Sequence, residues 1–212
     1  LFKHPQAKEM TNMSNPEEIG NAYDKITHLW QNEDFDSQNG IVAHNKAIGF
    51  SDKKGRALDV GCGCNGRIID LLENFGFLVV GVDVSGEMIR LARLRNPGVE
   101  FFQCDICSWS LPGKFDFITA WDSLWHLPLN QQVPVISKLV AALEPGGVFI
   151  LSFGGLDHQE ERKNSLMGPE MYYSTLGINA FLNLFLSLNC TIRHLEYDQL
   201  PEKHAYVILQ KF

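Results

Sequence analysis

The sequence predicts an α/β protein, a mostly parallel sheet with helices on both faces in three α/β/α layers. Two observations predict it. From Arg56 onward strand-like and helix-like patterns alternate, and parallel strands need crossover connections of that kind. Near the C-terminus the strand-like runs CTIRHLEY and HAYVILQKF are parted only by DQLPEK, too short for a crossover, so that pair must be antiparallel.

Each element has a local cause. Asn15-Pro16-Glu17-Glu18 supplies a cap, a first-turn proline and acidic residues ahead of Ile19, Tyr23, Ile26 and Trp30, which share one helical face. A weaker helix is predicted from Ile41 to Ile48, and SDKKG then marks a loop. The regular part follows: strand RALDV, helix RIIDLLENF, strand LVVGVDV, helix GEMIRLARL, strand VEFFQCD and strand FDFITAW. Ile68, Leu71, Leu72 and Phe75 form a helical stripe, and Gly76 stands where that helix would end in the left-handed conformation. Ser85 caps the next helix, which Pro97-Gly98 stops. Val133, Ile136, Leu139, Val140 and Leu143 predict a further helix, closed by Pro145-Gly146-Gly147 before strand VFILSF. After it GGLDHQEERKNSLMGPEMYYSTLG reads as a long polar and aromatic link, and such length points to a functional loop or lid.

The bulk composition narrows the classes of function. With 212 residues, 45% hydrophobic and 20% charged, the chain suits one domain: a helical extension over residues 1–50 and a core over 56–212. No apolar run approaches the ~18–20 residues of a membrane span. LFKHPQAKEMTNMSN lacks an apolar core of signal-peptide length, so export is not expected and the segment reads as a loosely ordered extension. A net charge of −7 and a pI near 5.5 oppose a nucleic-acid partner. The five cysteines read as reduced thiols of a cytoplasmic protein. Cys104-x-x-Cys107 and Cys62-x-Cys64 have redox or metal spacing, but neither stands in the matching context, and no metal is expected.

The stretch LDVGCGCNGR, residues 58–67, carries the chemistry. Gly61, Gly63 and Gly66 fit the G-x-G-x-x-G turn of a dinucleotide site, while Asp59-x-Gly61-x-Gly63 fits a turn that holds S-adenosylmethionine. Asp83, at the end of the second strand, suits the ribose hydroxyls in either case. A pyrophosphate disfavours a nearby acid, and Asp59 immediately precedes the turn. A cationic sulfonium with an ammonium reverses that preference, and a second acid, Asp122, follows the fourth strand.

With these residues assembled, the chain resembles the class I S-adenosylmethionine-dependent methyltransferases from about Arg56 to Phe212. ALDVGCG looks like the first motif, VVGVDVS the second, FQCDI the third, FDFITAWDSLWHL the fourth, and LEPGGVFILS the turn and fifth strand. The resemblance implies a Rossmann-like, doubly wound sheet of seven strands with the last antiparallel. It also implies that Asp59, Gly61, Cys62 and Gly63 line the methionine end with Trp121 and Asp122, that Asp83 and Val84 meet the ribose, and that Asp105 and Ile106 meet the adenine. Met88 packs on the adenine or fills core. One departure stands out: Cys64 and Asn65 both intervene before Gly66, so an altered turn is expected, and Asn65 tolerates the left-handed conformation.

The reaction so implied is methyl transfer to O, N, S or C of a small-molecule acceptor by in-line displacement. His126 is the candidate catalytic group, as proton acceptor or orienter, against the alternative that it caps the SLWHL turn. Tyr23, Trp125, His158, Tyr172, Tyr173 and His204 are candidate acceptor residues, whereas His28, His44 and His194 read as structural or solvated. Two other functions remain open: a nicotinamide oxidoreductase, for which a Tyr-x-x-x-Lys pair is missing, and a non-catalytic S-adenosylmethionine-binding module.

Overall fold

The computed structural model describes residues 15–212, so the expected loose extension before Asn15 lies outside the described residues. Asn15 caps helix α1 (Pro16–Asp24), its side-chain oxygen accepting from the Glu17 N–H at 3.1 Å. The helix is shorter than its apolar stripe predicts. At Ile26 the backbone turns to φ −126°, ψ 13°, and Thr27–Trp30 form a 3-10 turn instead. Ile26 and Ala22 nevertheless pack with Met171, and Tyr23 and Trp30 lean on the same cluster, so tertiary contact takes over where the helix stops. Helix α2 spans Ile41–Ile48.

Strands β1 (Arg56–Val60), β2 (Leu78–Asp83), β3 (Glu100–Gln103), β4 (Phe115–Ala120) and β5 (Leu143–Gly154) run parallel, with β8 (Cys190–Glu196) and β9 (His204–Lys211) completing the sheet. The order is β3-β2-β1-β4-β5-β9-β8, and β9 is antiparallel to both neighbours. That is the seven-stranded, doubly wound sheet the sequence led us to expect. Successive strand residues alternate between the two faces. Leu58 and Val60 join one core with helices α5 (Leu129–Ala141) and α6 (Ile178–Ser187), while Ala57 joins the other with α3 (Arg67–Asn74) and α4 (Gly86–Arg95). Because the chain leaves β1 in opposite directions toward β2 and β4, a crevice opens where their carboxyl ends meet.

Several local expectations change. On α3, Ile69 is buried and Phe75 is exposed past the last turn, with Gly76 at φ 90° ending the helix. On α5 the buried stripe is Gln132, Val135, Ile136, Leu139 and Val140. Val133 faces solvent, and Leu143 already belongs to β5. The expected long link is not a loop: Glu160–Asn164 (β6) and Met171–Thr175 (β7) pair antiparallel, and α6 follows. The run EERKN places charge or amide at every position, so it shows no period-two hydrophobic signal. Among the described residues no helix is long and apolar enough to cross a membrane.

Phe117 is fully buried mid-sheet, its ring 5.4 Å from that of Phe77. Phe117→Ala should lower unfolding stability by about 3–5 kcal/mol, through lost transfer energy and a residual cavity. Denaturant titration checks this; a loss below about 1 kcal/mol would mean the two layers meet less tightly than they appear.

Candidate active site

The glycine turn after β1 takes positive φ at Gly61 (74°), Gly63 (57°) and Gly66 (68°). Asn65 does not adopt the left-handed form expected of it; its side chain instead accepts from the Arg67 N–H at 3.1 Å, and Gly66 makes the extra bend. Gly61 is required sterically, since a Cβ there would lie 2.3 Å from Cβ of Ser123, whose hydroxyl donates to the Val60 carbonyl at 2.8 Å. Gly63 is different: a Cβ would meet no protein atom within 4 Å, because that part of the turn borders a cavity of about 350 Å³.

Gly61, Cys62, Gly63, Asp83, Val84, Met88, Asp105, Ile106, Trp121 and Asp122 all line that cavity. Asp83 accepts from the Gly63 N–H and the Ser85 N–H, both at 2.9 Å, which joins the turn after β1 to the cap of α4. Burial raises the pKa of its carboxyl, opposed by those same amide donors. Asp105 accepts from the Cys107 N–H at 2.8 Å, and the Lys138 ammonium donates to the carbonyls of Ile106 and Trp109, tying this loop to α5. Asp59, expected at the methionine end, is not in the cavity wall. It is buried behind the turn, where desolvation pushes its carboxyl up to about 7.

Asp122 sits at φ 54°, a left-handed position for a residue with a side chain. Its backbone N–H donates to Ser152 Oγ at 2.8 Å, while its carboxylate accepts from Asn39 Nδ2 at 3.0 Å and from His204 Nε2 at 3.0 Å. The other nitrogen of His204 bonds Asp198. His204 is therefore a buried bridge between two acids rather than part of the cavity wall. Burial lowers its pKa, but the two carboxylates overcome that and raise it on balance.

Arg67 and Asn39 have no signal in the sequence that singles them out, yet both line the cavity. Arg67 donates from Nε to the Asn39 carbonyl at 2.9 Å and lies 5.1 Å over the Phe35 ring. Among the described residues no carboxylate pairs with its guanidinium. Asn39 also accepts from Trp121 Nε1 at 3.2 Å.

Of the residues expected to meet an acceptor, Tyr23, Trp125 and Tyr173 line the cavity together with His126, joined by Trp30 and Met167. The Tyr172 carbonyl can only accept, so His126 Nδ1 carries the proton that bridges them at 2.7 Å. Nε2 is then the acceptor for the Tyr23 hydroxyl at 2.7 Å and the Trp125 indole N–H at 3.0 Å. Burial pushes the imidazole down to about 4, so it is neutral near pH 7. Two other expected acceptor residues lie elsewhere. The Tyr172 side chain turns away to donate to Glu161 and accept from the Leu129 N–H, and His158 is exposed beside Glu160.

Residues 57–147 match the family described as "Methyltransferase domain". The match covers the glycine turn and strands β1 to β4, the stretch in which the chain resembles the class I S-adenosylmethionine-dependent methyltransferases. Among curated relatives, a trans-aconitate 2-methyltransferase of Rhodopseudomonas palustris (strain BisB18) is 32% identical over 117 residues, 55% of this chain and 44% of that protein. A dTDP-3-amino-3,6-dideoxy-alpha-D-glucopyranose N,N-dimethyltransferase of Streptomyces fradiae is 28% identical, covering 63% of this chain and 52% of its own. The chain thus spans about half the length of these curated relatives. In fold it is similar to magnesium protoporphyrin IX methyltransferase from Synechocystis PCC 6803, solved with bound SAM, at a TM-score of 0.70 and 16% identity, covering 93% and 98% of the two chains.

The His204 bridge has a pH signature. A histidine whose folded pKa lies above its unfolded value, near 6.5, gives stability that is full below that value and lost as pH rises through the folded pKa. The stability of the wild type relative to His204→Gln should therefore shrink as pH climbs above about 6.5. Urea titrations across that range check it, and a pH-independent difference would mean the imidazole is neutral in the fold.

Proposed function

We propose that the chain binds S-adenosylmethionine in this cavity and transfers its methyl group to a small-molecule acceptor, as a cytoplasmic enzyme of one methyltransferase domain. The observation that carries this reading is the pairing of a glycine turn open to the cavity with the Asp83 carboxylate that its own Gly63 N–H helps to hold. Bound there, S-adenosylmethionine supplies a methyl group already activated on a cationic sulfur.

The chain's residues supply position. Each Asp83 oxygen holds one amide donor and keeps capacity for a ribose hydroxyl. Asp105 offers a carboxylate to an adenine amine, with Ile106 and Met88 as apolar walls. Gly61 and Gly63 let the backbone approach closely. Asp122 suits the ammonium of the amino-acid end, and Arg67 close by, which makes no ion pair among the described residues, suits its carboxylate. His126 acts through Tyr23, whose hydroxyl it fixes. The acceptor chemistry of the relatives differs, an organic acid in one and an amino sugar in the other.

S-adenosylhomocysteine, and not NADH, should raise the melting temperature, because a ligand bound by the folded state alone stabilises it. Stabilisation by NADH alone would overturn the reading. Asp83→Ala should lose about 1.5–3 kcal/mol of S-adenosylhomocysteine affinity, measured by calorimetry.

Arg67 has its own test. Arg67→Gln should weaken S-adenosylhomocysteine by about tenfold or more while leaving 5′-methylthioadenosine, which lacks the amino-acid end, unchanged. Equal losses for both ligands would assign Arg67 to packing.

A further inference from the structure

Three rings meet around His126 on the cavity wall, and a fourth, Trp30, joins them through Tyr23. Tyr23 lies 5.3 Å from both Trp30 and His126, Tyr173 4.8 Å from His126, and Trp125 6.2 Å from it, all between ring centroids. Tyr23, Trp30, Trp125 and Tyr173 are each part-exposed, and each borders the cavity. The charges around them are lopsided. Asp83, Asp105 and Asp122 line the same cavity against a single lining cation among the described residues, Arg67, whose charge already faces Asp122, Asp59 and Asp36. Arg162 lies 5.8 Å from the Tyr173 ring but is exposed and outside the cavity wall.

Resting on the methyltransferase reading above, we propose that the acceptor is a primary or secondary amine whose nitrogen enters this ring cluster, with the Tyr23 oxygen accepting its N–H. A polycarboxylate would need several cations where the wall presents aromatic rings and acids. A hydroxyl would need a base, and the Nε2 lone pair of His126 is already engaged by Tyr23 and Trp125. A neutral amine brings its own lone pair. Its nitrogen forms the new N–CH3 bond as the S–CH3 bond of S-adenosylmethionine breaks, the electron pair staying on sulfur and the extra proton leaving nitrogen for water. The positive charge that grows on nitrogen meets the electron-rich ring faces, which favour a cation over a neutral group of the same shape. Tyr23, its hydroxyl hydrogen committed to His126, turns lone pairs toward the amine and so aims the nitrogen.

Binding tests this without turnover. Choline and 3,3-dimethylbutan-1-ol are nearly isosteric, one cationic and one neutral, and citrate stands for a polycarboxylate. Each is titrated calorimetrically into the chain saturated with S-adenosylhomocysteine. Choline should bind saturably and about tenfold or more tighter than the alcohol, with citrate weaker than either. Trp125→Leu and Tyr173→Leu should erase the preference and Tyr173→Phe should keep it, with S-adenosylhomocysteine affinity as the check that each variant is folded. No saturable choline binding, an alcohol bound equally well, or citrate bound tightest overturns the proposal. Failure of S-adenosylhomocysteine to bind the wild type would instead bring down the methyltransferase reading beneath it.

Discussion

The site depends on one close approach, between the turns that leave β1 and β4. At Gly61 the two turns are so near that a methyl group would collide with Ser123, and the Ser123 hydroxyl bonds back to Val60. Parallel neighbours that diverge in connectivity leave a crevice at their carboxyl ends, but its shape is set by how tightly the first residues beyond the strands are held. Here they are held by backbone. Asp122 then begins the next segment in a left-handed conformation, stabilised by Ser152 at the end of β5 and by His204 at the start of β9. Three strands beyond β1 therefore share in fixing one carboxylate.

Electrostatics follow from that crowding. Several acids are drawn toward the strand ends, and burial raises the pKa of Asp59 and Asp83 because water is missing around them. Arg67 enters the same region from the start of α3 and loses its own solvation there. Among the described residues no carboxylate forms an ion pair with it, and Asp122, Asp59 and Asp36 act on its charge only from farther off. On the aromatic side the logic is opposite. His126 is kept neutral by burial and by a hydrogen-bond pattern that leaves one consistent tautomer, which makes it a support for Tyr23 more than a source of charge.

Legibility in the sequence tracked how local each cause is. The Asn15 and Ser85 caps, the strand runs and the short DQLPEK connection could be read because they depend on neighbours in sequence, and the structure carries all of them. Asp83 could be placed at the cavity because a strand end fixes it. Arg67 and Asn39 could not, since an arginine after a glycine and an asparagine before one look like ordinary loop and helix-start residues until the fold brings them together. The β6–β7 hairpin was hidden by charge or amide at every position of EERKN. His204 looked like a site residue because it begins the last strand and Tyr172 because it stands in the long link, but the decisive fact is which way the side chain turns, and that comes from Asp122, Asp198 and Glu161.

The N-terminal helix connects the two sides of the cavity. On one side Asp24 accepts from the Ser85 hydroxyl at 2.5 Å and from the Glu87 N–H at 2.9 Å, next to the residues that hold Asp83. On the other side its neighbour Tyr23 bonds His126 and packs against β7. A helix of nine residues has little stability of its own, so these contacts set its position and much of its order. Asp24 and Tyr23 are adjacent in sequence, which leaves no slack between the contact at the cap of α4 and the hydroxyl that borders the ring cluster. Any contact that steadies α4 and its cap therefore also steadies Tyr23, so one short helix ties together both sides of the cavity it lines.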